Sequence, residues 1–178
     1  MVRRLRIEWS GCLLGALCLY LLPLRWVLGA VCAGAVHELG HLLALRLTGA
    51  TVYSVSLGGI GAKIETSPLE RIQELCCALA GPVGSLSMLL FCRGFPEGAL
   101  CGLFQGLFNL LPVYPMDGGR AARCVFPEKV CDWMEKIVTV LLAVLGFWLN
   151  WAWLPVLALA MHCRNRKIPC KETKKAVQ

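Results

Sequence analysis

The sequence predicts an all-α polytopic membrane protein, with about six transmembrane helices and a small cytoplasmic-side β-hairpin. Of its 178 residues, 57% are hydrophobic and only 16% are charged, where a soluble domain carries about 25% charged residues. The mean hydropathy is +0.64. The charges are also bunched. Between Trp9 and Ala50 only Arg25, Glu38 and Arg46 are formally charged, too few to coat a soluble fold. No internal repeat or low-complexity segment breaks the chain, and one membrane domain, 1–178, accounts for all of it.

The chain opens on Arg3, Arg4 and Arg6, followed by an apolar stretch over about 9–24. A signal peptide cut near Ala33-Gly34-Ala35 has the same look. Cleavage there would leave the chain starting at Val36, inside the helix that carries the best motif, so an uncleaved first span is expected. A second stretch, 26–48, is separated from the first only by Arg25. Next, Thr51-Val52-Tyr53-Ser54-Val55-Ser56-Leu57 alternates and is rich in β-branched residues. Gly58-Gly59-Ile60-Gly61 can turn, and Ala62-Lys63-Ile64-Glu65-Thr66 alternates again, so 51–66 reads as a hairpin. Further apolar stretches cover 70–92, 98–113, 134–149 and 151–163, and a basic tail closes the chain over 164–178.

Several stretches fall short of the roughly 20 residues that a full span needs. Merging the first two and the last two would give four spans. Charge favours six. With both termini in the cytoplasm, only Arg25 and Arg93 of the 18 lysines and arginines lie outside, as the cytoplasmic bias of basic residues requires. The net charge of +7 therefore flanks membrane spans and does not point to nucleic acid. The tail can also touch anionic lipid. Most of the 11 cysteines lie inside apolar runs, with no CxxC pair, and read as small buried hydrophobes. A multi-pass protein of a cell membrane is the expectation.

The second span contains His37-Glu38-Leu39-Gly40-His41. Two histidines four apart share one helical face and can bind one zinc ion, while the adjacent glutamate can serve as general base toward a water that the ion activates. An ordinary buried hydrogen-bonded cluster is the bland reading. It fits poorly, because a carboxylate amid an apolar membrane helix costs several kcal/mol unless a partner or function compensates.

A catalytic zinc needs a third protein ligand. His162 is one candidate, but beside Cys163 and Arg164 it reads more simply as an interfacial residue. Asp117 is the other, in Asn109-Leu110-Leu111-Pro112-Val113-Tyr114-Pro115-Met116-Asp117-Gly118-Gly119-Arg120. Irregular backbone at membrane depth is tolerated where protein buries it or it lines a wet cavity. A plain turn is equally compatible with this composition. Topology separates the two: six residues at 1.5 Å put His41 roughly 9 Å from the cytoplasmic end of its helix, and the fourth span brings Asp117 to the same face.

Taken together, HELGH in an early span, the later NLLPVYPMDGG, and Ala80-Gly81-Pro82 between them as a helix start resemble the site-2 protease family of intramembrane metalloproteases. The sporulation factor branch (stage IV protein FB, bacterial) is the most similar. The resemblance covers about 30–124. It implies that His37, His41 and Asp117 bind zinc, that Glu38 is the catalytic acid/base, and that Asn109 and Pro115 shape the substrate cleft. It further implies a membrane-associated protein substrate, such as a precursor transcription factor or an anti-sigma factor. A regulatory membrane partner is compatible with that role.

Two departures stand out. Met116 replaces the family's common leucine, a volume-conserving change. Val83-Gly84-Ser85 follow Gly81-Pro82 where an asparagine is frequent. With only 164–178 beyond the last span, neither a nucleotide-sensing domain nor a PDZ domain is expected.

Two mechanical questions stay open. Substrate can pair with the 51–66 hairpin by strand addition, or the hairpin can simply seal the cavity. The small residues Gly29, Ala30, Ala33, Gly34 and Gly40 allow either close helix packing or substrate entry. Two rival functions also remain: a relative that binds substrate without cutting it, and a metal-ion transporter, which would more typically repeat polar sites with internal symmetry.

Overall fold

The computed structural model describes residues 4–7, 9–58 and 61–149. The chain divides at Leu110 into two compact units. The first begins with strand β1 (Arg4–Ile7) and helices α1 (Trp9–Leu21) and α2 (Leu24–Leu47). The break between these helices falls at Leu22-Pro23 and not at Arg25 as the charge pattern suggested. Pro23 adopts φ −57 and ψ 142 and caps α2 from outside. Lacking an N–H and restricting the residue before it, proline ends one helix and starts the next. At 1.5 Å per residue, α2 is about 36 Å long, enough to cross a bilayer core of about 30 Å.

The far end of α2 is closed by a Schellman turn. Gly49 takes φ +75, the left-handed conformation that glycine adopts without penalty. The Gly49 and Ala50 amides donate to the carbonyls of Arg46 (3.3 Å) and Leu45 (2.9 Å), satisfying helix-end acceptors. The chain then enters the expected hairpin, β2 (Val52–Gly58) and β3 (Gly61–Thr66), paired antiparallel with Val55 opposite Ile64. The sheet has a third strand that alternation did not reveal. β1 lies parallel to β2, Leu5 against Val55, so β2 is central. Arg4 and Arg6 had read only as a basic flank; a four-residue strand is too short to show its period.

Helix α3 (Arg71–Ser87) starts with a capping box between Glu70 and Gln73, which satisfies two otherwise unpaired amides. Gln73 Nε2 also donates to the Thr48 carbonyl at 2.9 Å, tying the start of α3 to the end of α2. This capping moves the helix start well upstream of Ala80-Gly81-Pro82. Pro82 lies inside α3, contrary to expectation. A 3-10 turn, Met88–Phe91, extends the helix. Helix α4 (Pro96–Asn109) begins with proline in its first turn, where the missing N–H is harmless. Its buried Gly98, Gly102 and Gly106 form a stripe. A methyl at Gly102 would sit 2.5 Å from the Ser85 carbonyl oxygen, so the stripe lets α4 lie close on α3.

In the second unit, α5 (Asp117–Val125) and α6 (Glu128–Trp148) are described. The Asp-Gly-Gly run, for which composition left a plain turn and irregular backbone beside a cavity equally open, opens a helix, with Met116 in an extended N-cap conformation. The fifth apolar stretch begins earlier than 134, since Pro127 caps a helix from Glu128 onward. Among the described residues, two helices are long and apolar enough to cross a membrane: Leu24–Leu47 and Arg71–Phe91. The sixth stretch, the tail and His162 lie outside the described residues.

Candidate metal centre

The site is built on the facing surfaces of α2 and α3. His37 and His41, one turn apart on α2, are buried to 4% and 6% exposure. Cys77, Gly81 and Ser85 recur at every fourth position of α3, and all three are buried. The helices pack antiparallel, so each residue of this stripe meets a different part of the histidine pair. Ser85 Oγ lies 2.9 Å from His37 Nδ1. The Cys77 carbonyl oxygen lies 2.8 Å from His41 Nδ1. A carbonyl only accepts, so His41 carries its proton on Nδ1 and keeps a lone pair on Nε2. The two Nε2 atoms are 3.2 Å apart.

Gly81 makes room for both rings. A methyl there would collide with His41 Nε2 and come within 3.0 Å of His37 Cε1. Gly40 plays the matching part on α2, where a methyl would run into the Ala80 carbonyl, its carbon 2.9 Å away. Of the small residues noted along α2, a methyl at Gly29 would stand 3.0 Å from the Glu97 carbonyl carbon, whereas one at Gly34 would meet nothing within 4 Å, and Ala30 is exposed. The glycines therefore divide between close packing and open surface. Glu38, beside His37, is half-buried.

Asp117 is the first residue of α5 and 6% exposed. A helix N-terminus favours a carboxylate. Arg120, one turn on, donates to its Oδ1 at 3.2 Å. Gly119 lets this first turn lie against the preceding loop, since a methyl would stand 2.5 Å from the Val113 carbonyl carbon. The Tyr114–Pro115 peptide is cis, which places Pro115, half-buried, at the bend before the ligand. Asn109, also half-buried, ends α4 and donates Nδ2 to the Gln105 carbonyl at 3.0 Å.

The side chains of His37, His41 and Asp117 are all buried. This His-His-Asp group can bind a metal ion. The donor set suits zinc: bonds of about 2.0–2.1 Å at tetrahedral angles separate two nitrogens by about 3.3 Å, close to the 3.2 Å between the imidazoles. Hydrogen bonding of each Nδ1 is also what zinc-ligating histidines require.

The sequence singled out His37, His41 and Asp117, a group that could hold a metal ion, but not the groups that support the rings. Ser85 and Gly81 were legible as a four-residue period against the histidine pair. The Cys77 carbonyl, a backbone group, was not. Among the described residues no cysteine forms a disulfide.

The fold is that of a site-2 protease. The structure superposes on the site-2 protease from Methanocaldococcus jannaschii with a TM-score of 0.62 at 20% identity, covering 88% of this chain and 86% of that one. In sequence the chain is similar to a zinc metalloprotease of the same organism, 31% identical over 108 residues, covering 53% of this chain and 32% of the relative. It is also 30% identical over 158 residues to Rip3 of Mycobacterium tuberculosis, classed by its name with the zinc metalloproteases, covering 68% of this chain and 39% of the relative. The chain thus spans about a third of the length of the curated relatives it matches. No model of a known protein family matches it.

Proposed function

We propose that this chain is an intramembrane zinc endopeptidase of the site-2 protease type, hydrolysing a peptide bond of a membrane-associated precursor protein. One observation carries the reading: two buried imidazoles, each pinned at Nδ1 by α3, direct their Nε2 atoms to one point. His37, His41 and Asp117 would hold the ion. Zinc held there would polarise the scissile carbonyl and lower the pKa of a water to about 7. The Glu38 carboxylate would accept a proton from the attacking water and return it to the leaving amide nitrogen. Ser85 Oγ and the Cys77 carbonyl keep the rings from turning during the proton transfers. Asn109 and Pro115, at either end of the loop that leads to Asp117, shape the cleft that positions the scissile segment.

A six-span arrangement in a bacterial cell membrane, with both termini cytoplasmic, is supported by the placing of 16 of the 18 cations on one side. The paired HELGH and NLLPVYPMDGG motifs resemble those of the sporulation-factor branch. A precursor transcription factor or an anti-sigma factor is the substrate class this implies. β2 is already paired on both sides, so among the described strands β1 and β3 have a free edge, and β3, the longer of the two, is the better placed to receive an unwound substrate.

The test is Glu38→Gln. The variant should retain zinc and lose cleavage by about 10²–10⁴-fold, the usual contribution of a general acid/base. Membrane precursors captured on this variant are then offered to the wild type. A wild-type protein that carries zinc across a vesicle membrane and cuts none of them would overturn the reading.

A further inference from the structure

A cluster on α5 and α6 lies outside the ligand set and holds the loop that delivers Asp117. Glu135 of α6 has a side chain only 13% exposed. Its Oε1 accepts the Tyr114 backbone N–H at 2.8 Å, and its Oε2 pairs with Arg123 Nη2 at 3.3 Å. The Arg123 guanidinium lies 5.1 Å over the Tyr114 ring. Glu135, Arg123 and Tyr114 thus close a ring of contacts around the start of the Tyr114-Pro115-Met116 segment. From the other side, the first turn of α5 presses on the Val113–Tyr114 peptide through Gly119. The segment is gripped on two faces immediately before the aspartate.

A charge-assisted bond to a backbone amide is about twice as strong as a neutral one, and a guanidinium stacked on a ring adds further attraction. An acidic side chain this buried in an apolar helix is costly unless it is paired. Here both oxygens are engaged, one with the loop backbone and one with α5.

We propose that Glu135 is a positioning residue for the metal centre. By tying the Tyr114 amide and Arg123 to α6, it fixes the backbone from which the Asp117 carboxylate projects. The inference rests on the reading of Asp117 as a zinc ligand. It adds that the ligand's placement depends on a carboxylate eighteen positions downstream, on another helix.

The experiment uses the full chain in detergent, with zinc affinity measured by chelator competition and the visible spectrum recorded after cobalt substitution. Glu135→Leu removes both contacts. It should weaken zinc binding about 10–100-fold, the usual cost of losing an outer support, and alter the cobalt spectrum even at saturating metal. Glu135→Gln, whose carbonyl can still accept the Tyr114 amide, should recover most of the affinity. Arg123→Leu, at a half-exposed position, removes the ion pair and the stacking on Tyr114 but keeps the Glu135–Tyr114 amide bond, and should weaken binding severalfold in a folded protein. Wild-type affinity and spectrum in Glu135→Leu overturn the proposal. So does an aggregated Glu135→Leu combined with an unchanged Arg123→Leu, since Glu135 is then a folding residue alone. Failure of the underlying reading looks different: wild type would bind no zinc, or Asp117→Ala would bind it as tightly as wild type.

Discussion

At His37 and His41 the decisive fact is which nitrogen faces the metal. Any helix with this spacing brings two imidazoles together, but each ring can present either nitrogen. The Cys77 carbonyl and Ser85 hydroxyl remove that freedom, and Gly81 leaves the volume in which the rings stand. Replacing Gly81 with alanine forces both imidazoles to move against a packed helix pair. Zinc affinity should fall at least about tenfold, in the range seen for disturbed ligand supports, with about 1–3 kcal/mol of destabilisation from overpacking. Gly94→Ala, where a methyl meets nothing within 4 Å, is the control and should match wild type in a chelator titration. Equal affinities in the two variants would remove Gly81 from the site. His37, Glu38, His41 and Asp117 stood out in the sequence because ionisable side chains are conspicuous in an apolar chain. The Cys77 carbonyl left no such mark, since it belongs to the backbone.

The hairpin was legible from its period-two pattern, and its pairing followed. Its neighbour was not: β1 has four residues and contacts β2 across some fifty positions of sequence, which no local pattern encodes. That neighbour changes the mechanism to be tested. With β2 enclosed, proline at Val55 would break the sheet instead of blocking a docking edge, because Val55 is paired on both sides. The informative positions are Lys63 and Ile64 of β3. In an antiparallel pair successive N–H groups point to opposite sides, so one of the two donates away from β2. Proline at that position should reduce cleavage of a membrane-tethered substrate severalfold and leave bound zinc unchanged in metal analysis. If both variants cut at the wild-type rate, strand addition is not the route of entry. The capping box at Glu70 and the proline at 23 show the same division between patterns that are local, and readable, and those that are not. Both are local chemistry, yet the apolar runs that frame them continue past the true helix ends and blurred each boundary by a few residues.

For the chain as a whole, composition gave the membrane class and charge gave an orientation. The arrangement of α2, α3 and α4 depends on glycines placed where helix backbones meet, as at Gly40, Gly81 and Gly102, and hydropathy does not register these. The orientation is open to a direct check at Cys92, exposed in the turn between α3 and α4 on the side assigned to the exterior. In a variant retaining Cys92 as its single cysteine, a membrane-impermeant maleimide should label right-side-out vesicles and spare inverted ones. The opposite pattern would reverse the topology. The hydrogen bonds that set the imidazoles carry one more implication, for biosynthesis. Their partners lie 48 and 36 positions further along the chain. While the ribosome has delivered only α2, the histidines have nothing to fix their rings and make a poor trap for a passing cation. Metal capture therefore waits for α3, and a nascent chain halted ahead of Ser85 should emerge largely metal-free.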